Sequence, residues 1–187
     1  MKSMDRDRAI IEHQLGRPPR GLINIEVRCP WGYPAVVRVA PLLKEKDEIE
    51  PFPTLFWLTC PILREQLSRL EERGVIAQLE GEIARNPDLR ERYFEDHRRY
   101  AQERFSLLSP EEQEFLQGRG WLEALRDRGI AGIGDFRTVK CLHAHYAHHL
   151  ARGSTIGRWL EERFRFSWCP PNDIRCHEGE PLARADH

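Results

Sequence analysis

Residues 21–41 read GLINIEVRCPWGYPAVVRVAP, and the fold is decided there. Ile23, Ile25 and Val27 alternate with polar residues, the period-two pattern of a strand with one face buried. Trp31-Gly32-Tyr33-Pro34 then turns the chain, and AVVRVAP supplies a second β-branched run. The pair predicts a β-hairpin. Further on, PFPTLFWLTCP (51–61) holds a continuous apolar run from Leu55 to Leu58, which reads as a third strand buried on both faces. The charged residues between, KEKDEIE (44–50), read as a solvated loop.

Outside these strands the periodicity is helical. Asp5 to Leu15 carries Ile10, Ile11 and Leu15 on one face, and Gly16-Arg17-Pro18-Pro19 stops it. Pro61 opens a helix that runs to about Arg73, since a proline's missing N–H costs nothing in a first turn. Residues 75–85 and 88–106 are charged helices broken at Asn86-Pro87, and Ser109-Pro110-Glu111-Glu112 caps another. Three glycines at 129–134 make a tight connection. A histidine-rich helix then runs from about Thr138 to Ala151, and a last helix from Thr155 to Phe164. The order predicts an α+β fold: a small antiparallel sheet of about three strands near the N-terminus, packed against a mostly helical remainder. Residues 1–168 are expected to form one domain and 169–187 an irregular tail, mobile past Cys176.

Composition narrows the function classes. Of 187 residues, 40% are hydrophobic and 32% charged, enough for a real core and a soluble surface. The formal net charge of −1 lacks the basic excess of a general nucleic-acid binder. No run approaches the roughly 20 apolar residues that cross a bilayer, so no membrane association is expected. The N-terminal stretch lacks a leader's apolar core, which predicts a cytoplasmic protein with its five cysteines as reduced thiols. An odd count is a poor disulfide framework.

The chemistry concentrates in KCLHAHYAHHLA (140–151), where one cysteine and four histidines share a helix. At about 100° per residue, Cys141, His145 and His148 fall on one face, and His143 points nearly opposite unless the helix begins later. Starting near Leu142, it would bring Cys141 and His143 together in its first turn, where the helix dipole favours a thiolate. Three Cys-Pro dipeptides, at Cys29, Cys60 and Cys169, hold sulfurs at sharp turns, two of them at strand ends. Cys29, Cys60 and Cys141 converging with His148, and with His143 or His145, would make a Cys/His centre suited to zinc. With Cys169 or Cys176 added, the same set would suit an iron–sulfur cluster. No CxxC pair is present. Two other classes stay open. One is a metal-free interaction module with buried structural thiols, whose charged helices over 61–128 meet a protein partner. The other is a metal-free enzyme that uses Cys141 with a histidine. GIAGIGDF is faintly similar to a phosphate-binding hairpin and LGRPPRG could hold an anion, but a plain turn and ordinary surface arginines explain both.

LGRPPRG (15–21), RCPWGYPAVVRVAP (28–41), PFPTLFWLTCP (51–61), SRLEERG (68–74) and VKCLHAHYAHHLA (139–151) together resemble a bacterial domain-of-unknown-function family, number 501. The resemblance implies no established activity. The family's Lys-Cys-Leu-His pattern, followed by a histidine five residues on, corresponds to Lys140, Cys141, His143 and His148, which leaves His145 and His149 as additions of this chain.

Overall fold

The alternating stretch folds as the hairpin it predicts. In a computed structural model that describes residues 2–45 and 48–179, β1 (Leu22–Arg28) pairs antiparallel with β2 (Pro34–Val39). The turn between them is closed by the Cys29 N–H on the Tyr33 carbonyl (2.9 Å) and the Gly32 N–H on the Cys29 carbonyl (2.9 Å). Gly32 takes φ +81°, a conformation that needs a residue without Cβ. The apolar run Leu55–Leu58, expected as a strand, supplies a short one (Phe56–Leu58) on the other side of β2, so β2 is central. Ala35, Val36, Val37 and Val39 are accordingly buried, while the outer strand β1 is bulged and leaves Ile23 exposed.

Of the charged loop expected at 44–50, residues 46–47 lie outside the described residues, and the rest belongs to a second ladder. β3 (Leu42–Glu45) pairs antiparallel with β4 (Glu48–Pro51), which makes the Phe56–Leu58 strand β5. Its anchor is apolar: Leu42 and Leu43 are buried, and Leu42 packs with Leu108, Leu116 and Leu125. Lys44 and Glu50 are exposed, Lys44 meeting Glu112 at 2.7 Å. Backbone pairing tolerates that pattern because only one face of so short a ribbon has to be dry.

The remainder is helical: α1 (Lys2–Leu15), α2 (Pro61–Glu72), α3 (Val75–Arg85), α4 (Pro87–Ser106), α5 (Pro110–Gly118), α6 (Leu122–Arg126), α7 (Leu142–Arg152) and α8 (Thr155–Arg163). Local chemistry sets the boundaries. Asn86 accepts the Leu89 N–H at the start of α4 (3.0 Å), and Ser109 and Glu112 form a reciprocal cap on α5. Gly153 ends α7 at φ +73°. Leu63 and Leu67 of α2, Leu79 and Ile83 of α3, Tyr93 and Tyr100 of α4, and Leu142 and Ala147 of α7 form one core with Val36 and Phe56 of the sheet. The architecture is the expected α+β arrangement, with α7 running through the middle against β5, α2 and α8.

The glycine connection serves this core. Arg104 of α4 is fully buried and donates to the carbonyls of Leu125 (2.8 Å), Pro53 (2.7 Å) and Arg128, tying α4 to α6 and the glycine segment. A short 3-10 turn, Ile130–Gly132, follows, and the Ile130 N–H donates to His97 Nδ1 (2.9 Å). A Cβ on Gly129 would lie 2.1 Å from that nitrogen, so only glycine fits. After α8 the chain returns along α2, and a second 3-10 turn, Arg175–Gly179, packs on α1. Residues 180–187, into which the expected mobile tail extends, lie outside the described residues. No described helix is long and apolar enough to cross a membrane.

Candidate metal centre

Cys141 does not lie in the body of α7. It is the N-cap, extended at φ −162°, ψ 123°, and the helix begins at Leu142. Its side chain therefore leaves the register shared by His145 and His148 and turns to His143, with Sγ 3.6 Å from Nδ1. A carboxylate from another helix completes the group. Glu71, in the last turn of α2, accepts the Leu142 N–H (2.6 Å) and lies 3.2 Å from His143 Nδ1. Ligand atoms of Glu71, Cys141 and His143 all lie within 4.8 Å of one another.

The imidazole is oriented from its far side. His143 Nε2 is 3.0 Å from the Arg64 carbonyl and 3.3 Å from Ser68 Oγ. A carbonyl can only accept, so Nε2 carries the proton and Nδ1 is the nitrogen turned to the sulfur and the carboxylate. The hydrogen bond to Cys141 raises the His143 pKa above its ordinary value. Burial opposes this, and the negative charges of Cys141 and Glu71 add to the rise. All three side chains are part-buried, and an open cleft of ≈ 550 Å³ lined by Leu58, Pro61, Arg64, Glu65, Ser68 and His143 adjoins them.

His145 and His148 occupy a different environment, buried between α7 and α4. The Tyr93 hydroxyl donates to the Thr138 carbonyl (2.9 Å) and meets His145 Nε2 at 3.3 Å, while His97 packs edge-on to His145 with ring centres 5.8 Å apart. His148 stacks on Phe56 and meets Tyr100 edge-on. His97 Nε2, His145 Nδ1 and His148 Nδ1 are buried without a partner. Burial pushes all three pKa values down, to about 3 for His97, to about 4 for His148 and well below the ordinary value for His145. These rings are neutral near pH 7.

The two remaining predicted ligands lie elsewhere again. Cys29 follows β1, and Cys60 is the N-cap of α2, buried with its thiol pushed up to about 12 by burial. Both lie near Cys169 and Cys176, not in the group around Cys141. Thus the six candidates divide among three places, and Cys141 with His143 is the pair the fold brings to a carboxylate. Glu71 was not singled out by the sequence. Its one signal was SRLEERG, the stretch shared with the resembled family, which holds both Ser68 and Glu71.

Comparison with known proteins gives a family without a function. The model of a family described as "Protein of unknown function (DUF501)" matches residues 25–162, a span that holds Cys29, Cys60, Glu71, Cys141 and His143. No curated protein and no solved structure matches the chain.

Proposed function

The chain belongs to the DUF501 family, and from that starting point we propose that it is a zinc protein whose ion is held by Glu71, Cys141 and His143. One observation carries the reading. Tetrahedral zinc with bonds of about 2.3 Å to sulfur and about 2.0–2.1 Å to nitrogen and oxygen sets its ligands roughly 3.5 Å (S to N) and roughly 3.3 Å (N to O) apart. The corresponding distances here are 3.6 Å and 3.2 Å. The outer contacts agree with it. A metal-bound imidazole commonly donates its other N–H to a carbonyl, as His143 does to Arg64. Cys141 is the N-cap of α7, so its sulfur is held at the helix start beside His143.

With three protein ligands a bound zinc would keep a position open, and the chemistry it would supply there is activation of water for hydrolysis. The chain's own contribution is positional. Arg64 and Ser68 fix the plane of His143, and Glu71 joins the end of α2 to the start of α7.

The test is elemental analysis of untagged protein. About one zinc per chain is expected, lost in Cys141→Ser and in His143→Ala but kept in His148→Gln. Metal-free protein after repeated anaerobic preparation overturns the reading.

One observation favours a second reading: Cys141 contacts an imidazole whose pKa it raises, at a helix N-terminus. That is the arrangement of a metal-free thiolate nucleophile. Alkylation separates the two. Zinc shields Cys141 from iodoacetamide until a chelator is added, whereas a metal-free Cys141 reacts at the same rate with and without the chelator.

A further inference from the structure

The three Cys-Pro dipeptides play no part in the Glu71–Cys141–His143 group, yet the fold gathers all three. Cys29 and Cys60 leave the sheet at the same end. The Cys29 N–H bonds to the Tyr33 carbonyl, and the Cys60 N–H bonds to the Ala35 carbonyl (3.3 Å), so both flank the start of β2. The segment after α8 is then strapped over that end. Ser167 and Gln66 exchange two hydrogen bonds (3.0 and 2.8 Å), Trp31 Nε1 donates to the Cys169 carbonyl (2.9 Å), and Arg175 meets Glu65 at 2.5 Å. Cys176 packs with Cys29, Ile10 and Tyr33, and Cys29 also packs on the core that contains Cys60. Cys60, Cys169 and Cys176 are buried.

We propose that Cys29, Cys60, Cys169 and Cys176 bind an iron–sulfur cluster, a second centre separate from the one at α7. Two features of the cluster point to that ligand. The thiols are neighbours, Cys60 of Cys169 and Cys176, and Cys176 of Cys29 and Cys169. One of them also accepts an N–H group, Cys176 from Gln14 Nε2 at 3.2 Å. Such N–H···S bonds stabilise bound thiolates and tune clusters. Spacing favours a cluster over a single ion. Four thiolates on one zinc would stand roughly 3.8 Å apart. Among the described residues no three of these sulfurs lie within 4.8 Å of one another. A cluster's inorganic sulfides separate its iron atoms and so accept a wider ring of cysteines.

The experiment is anaerobic purification of the full chain, followed by reconstitution with ferrous iron and sulfide. About two to four iron atoms and as many sulfides per chain are expected, with brown absorption that bleaches on reduction. Cys169→Ser and Cys60→Ser should each lose at least half of the iron, and Cys141→Ser should lose none. Cys169 lies in the C-terminal segment, so its variant keeps the core intact, and circular dichroism checks the fold of each. Absence of bound iron and sulfide after reconstitution overturns the proposal. So does zinc at these thiols in place of iron, or iron that survives both Cys60→Ser and Cys169→Ser. Zinc at these thiols is told apart from zinc at Cys141 by the variant that loses it, Cys60→Ser and Cys169→Ser for the one and Cys141→Ser for the other.

Discussion

Helix α7 carries histidines into two opposite environments within two turns. At its start, His143 is part-buried, partnered through both nitrogens, and set between a thiol and a carboxylate. On the face toward α4, His145 and His148 are buried among aromatic rings, each with an unpaired Nδ1. The same side chain is pushed in opposite directions. The hydrogen bond with Cys141, with Glu71 beside it, raises the His143 pKa, and desolvation lowers those of His145 and His148. Neighbouring donors, more than the number of imidazoles, decide which histidine can serve as a ligand.

The largest effect expected from this contrast is metal removal. If zinc binds only the folded chain, and its free concentration is about 1,000 times its Kd, chelation removes about 4 kcal/mol of stability. For a chain of this length that is roughly 10 °C in melting temperature. Differential scanning calorimetry with and without a chelator measures it, and His143→Leu should abolish the difference. An equal shift in His143→Leu would assign the chelator effect to another site.

Acid should act through the other face. His148 has its folded-state pKa at about 4, against an ordinary 6.5, with burial the main cause. Asp96 opposes that shift, while Arg99, Arg152 and His149 reinforce it. Between those values the unfolded chain binds the extra proton and the folded chain does not. Stability therefore falls as pH drops from about 6.5 and is fully reduced below about 4, by about 3 kcal/mol for this residue. His97, with its pKa at about 3, adds in the same direction. Urea unfolding at pH 7, 5.5 and 4.5 follows the loss. In His148→Gln the slope should be shallower, and an unchanged slope would remove His148 from the account.

Much of this contrast was legible in the sequence, and its limits are physical. The hairpin and β5 could be read because burial alternates, or runs unbroken, along a strand. The β3–β4 ladder could not, because its charges mask a two-leucine anchor that only the distant Leu108, Leu116 and Leu125 make meaningful. Within the histidine helix the residue types were visible, but the start of the helix decided the geometry. A beginning at Leu142 frees Cys141 from the His145–His148 face and gives it to His143. Glu71 and His97 come from other helices, and no spacing along the chain announces such partners.

A smaller effect is expected from exchanging apolar side chains at the two positions. His145→Leu removes an unpaired buried nitrogen and the contact with Tyr93 while nearly preserving volume. These losses and gains oppose each other, so the cost should stay below about 1.5 kcal/mol, with zinc retained. Zinc loss in His145→Leu would place this histidine in the metal centre and break the division between the two faces.

The smallest change separates the two roles of Glu71. Its Oε1 both caps α7 through the Leu142 N–H and stands beside His143. Glu71→Gln keeps an oxygen for the cap and loses the charge. The metal-free protein should therefore lose only about 1 kcal/mol, the difference between a charge-assisted and a neutral hydrogen bond. Zinc binding should weaken at least tenfold, because a neutral amide oxygen is a poor replacement for a carboxylate at a dication. Denaturation of the chelated protein and competition with a zinc indicator read the two quantities separately. Equal zinc affinity in wild type and Glu71→Gln would leave Glu71 as a helix cap alone, and Cys141 and His143 would then need their third ligand from another group.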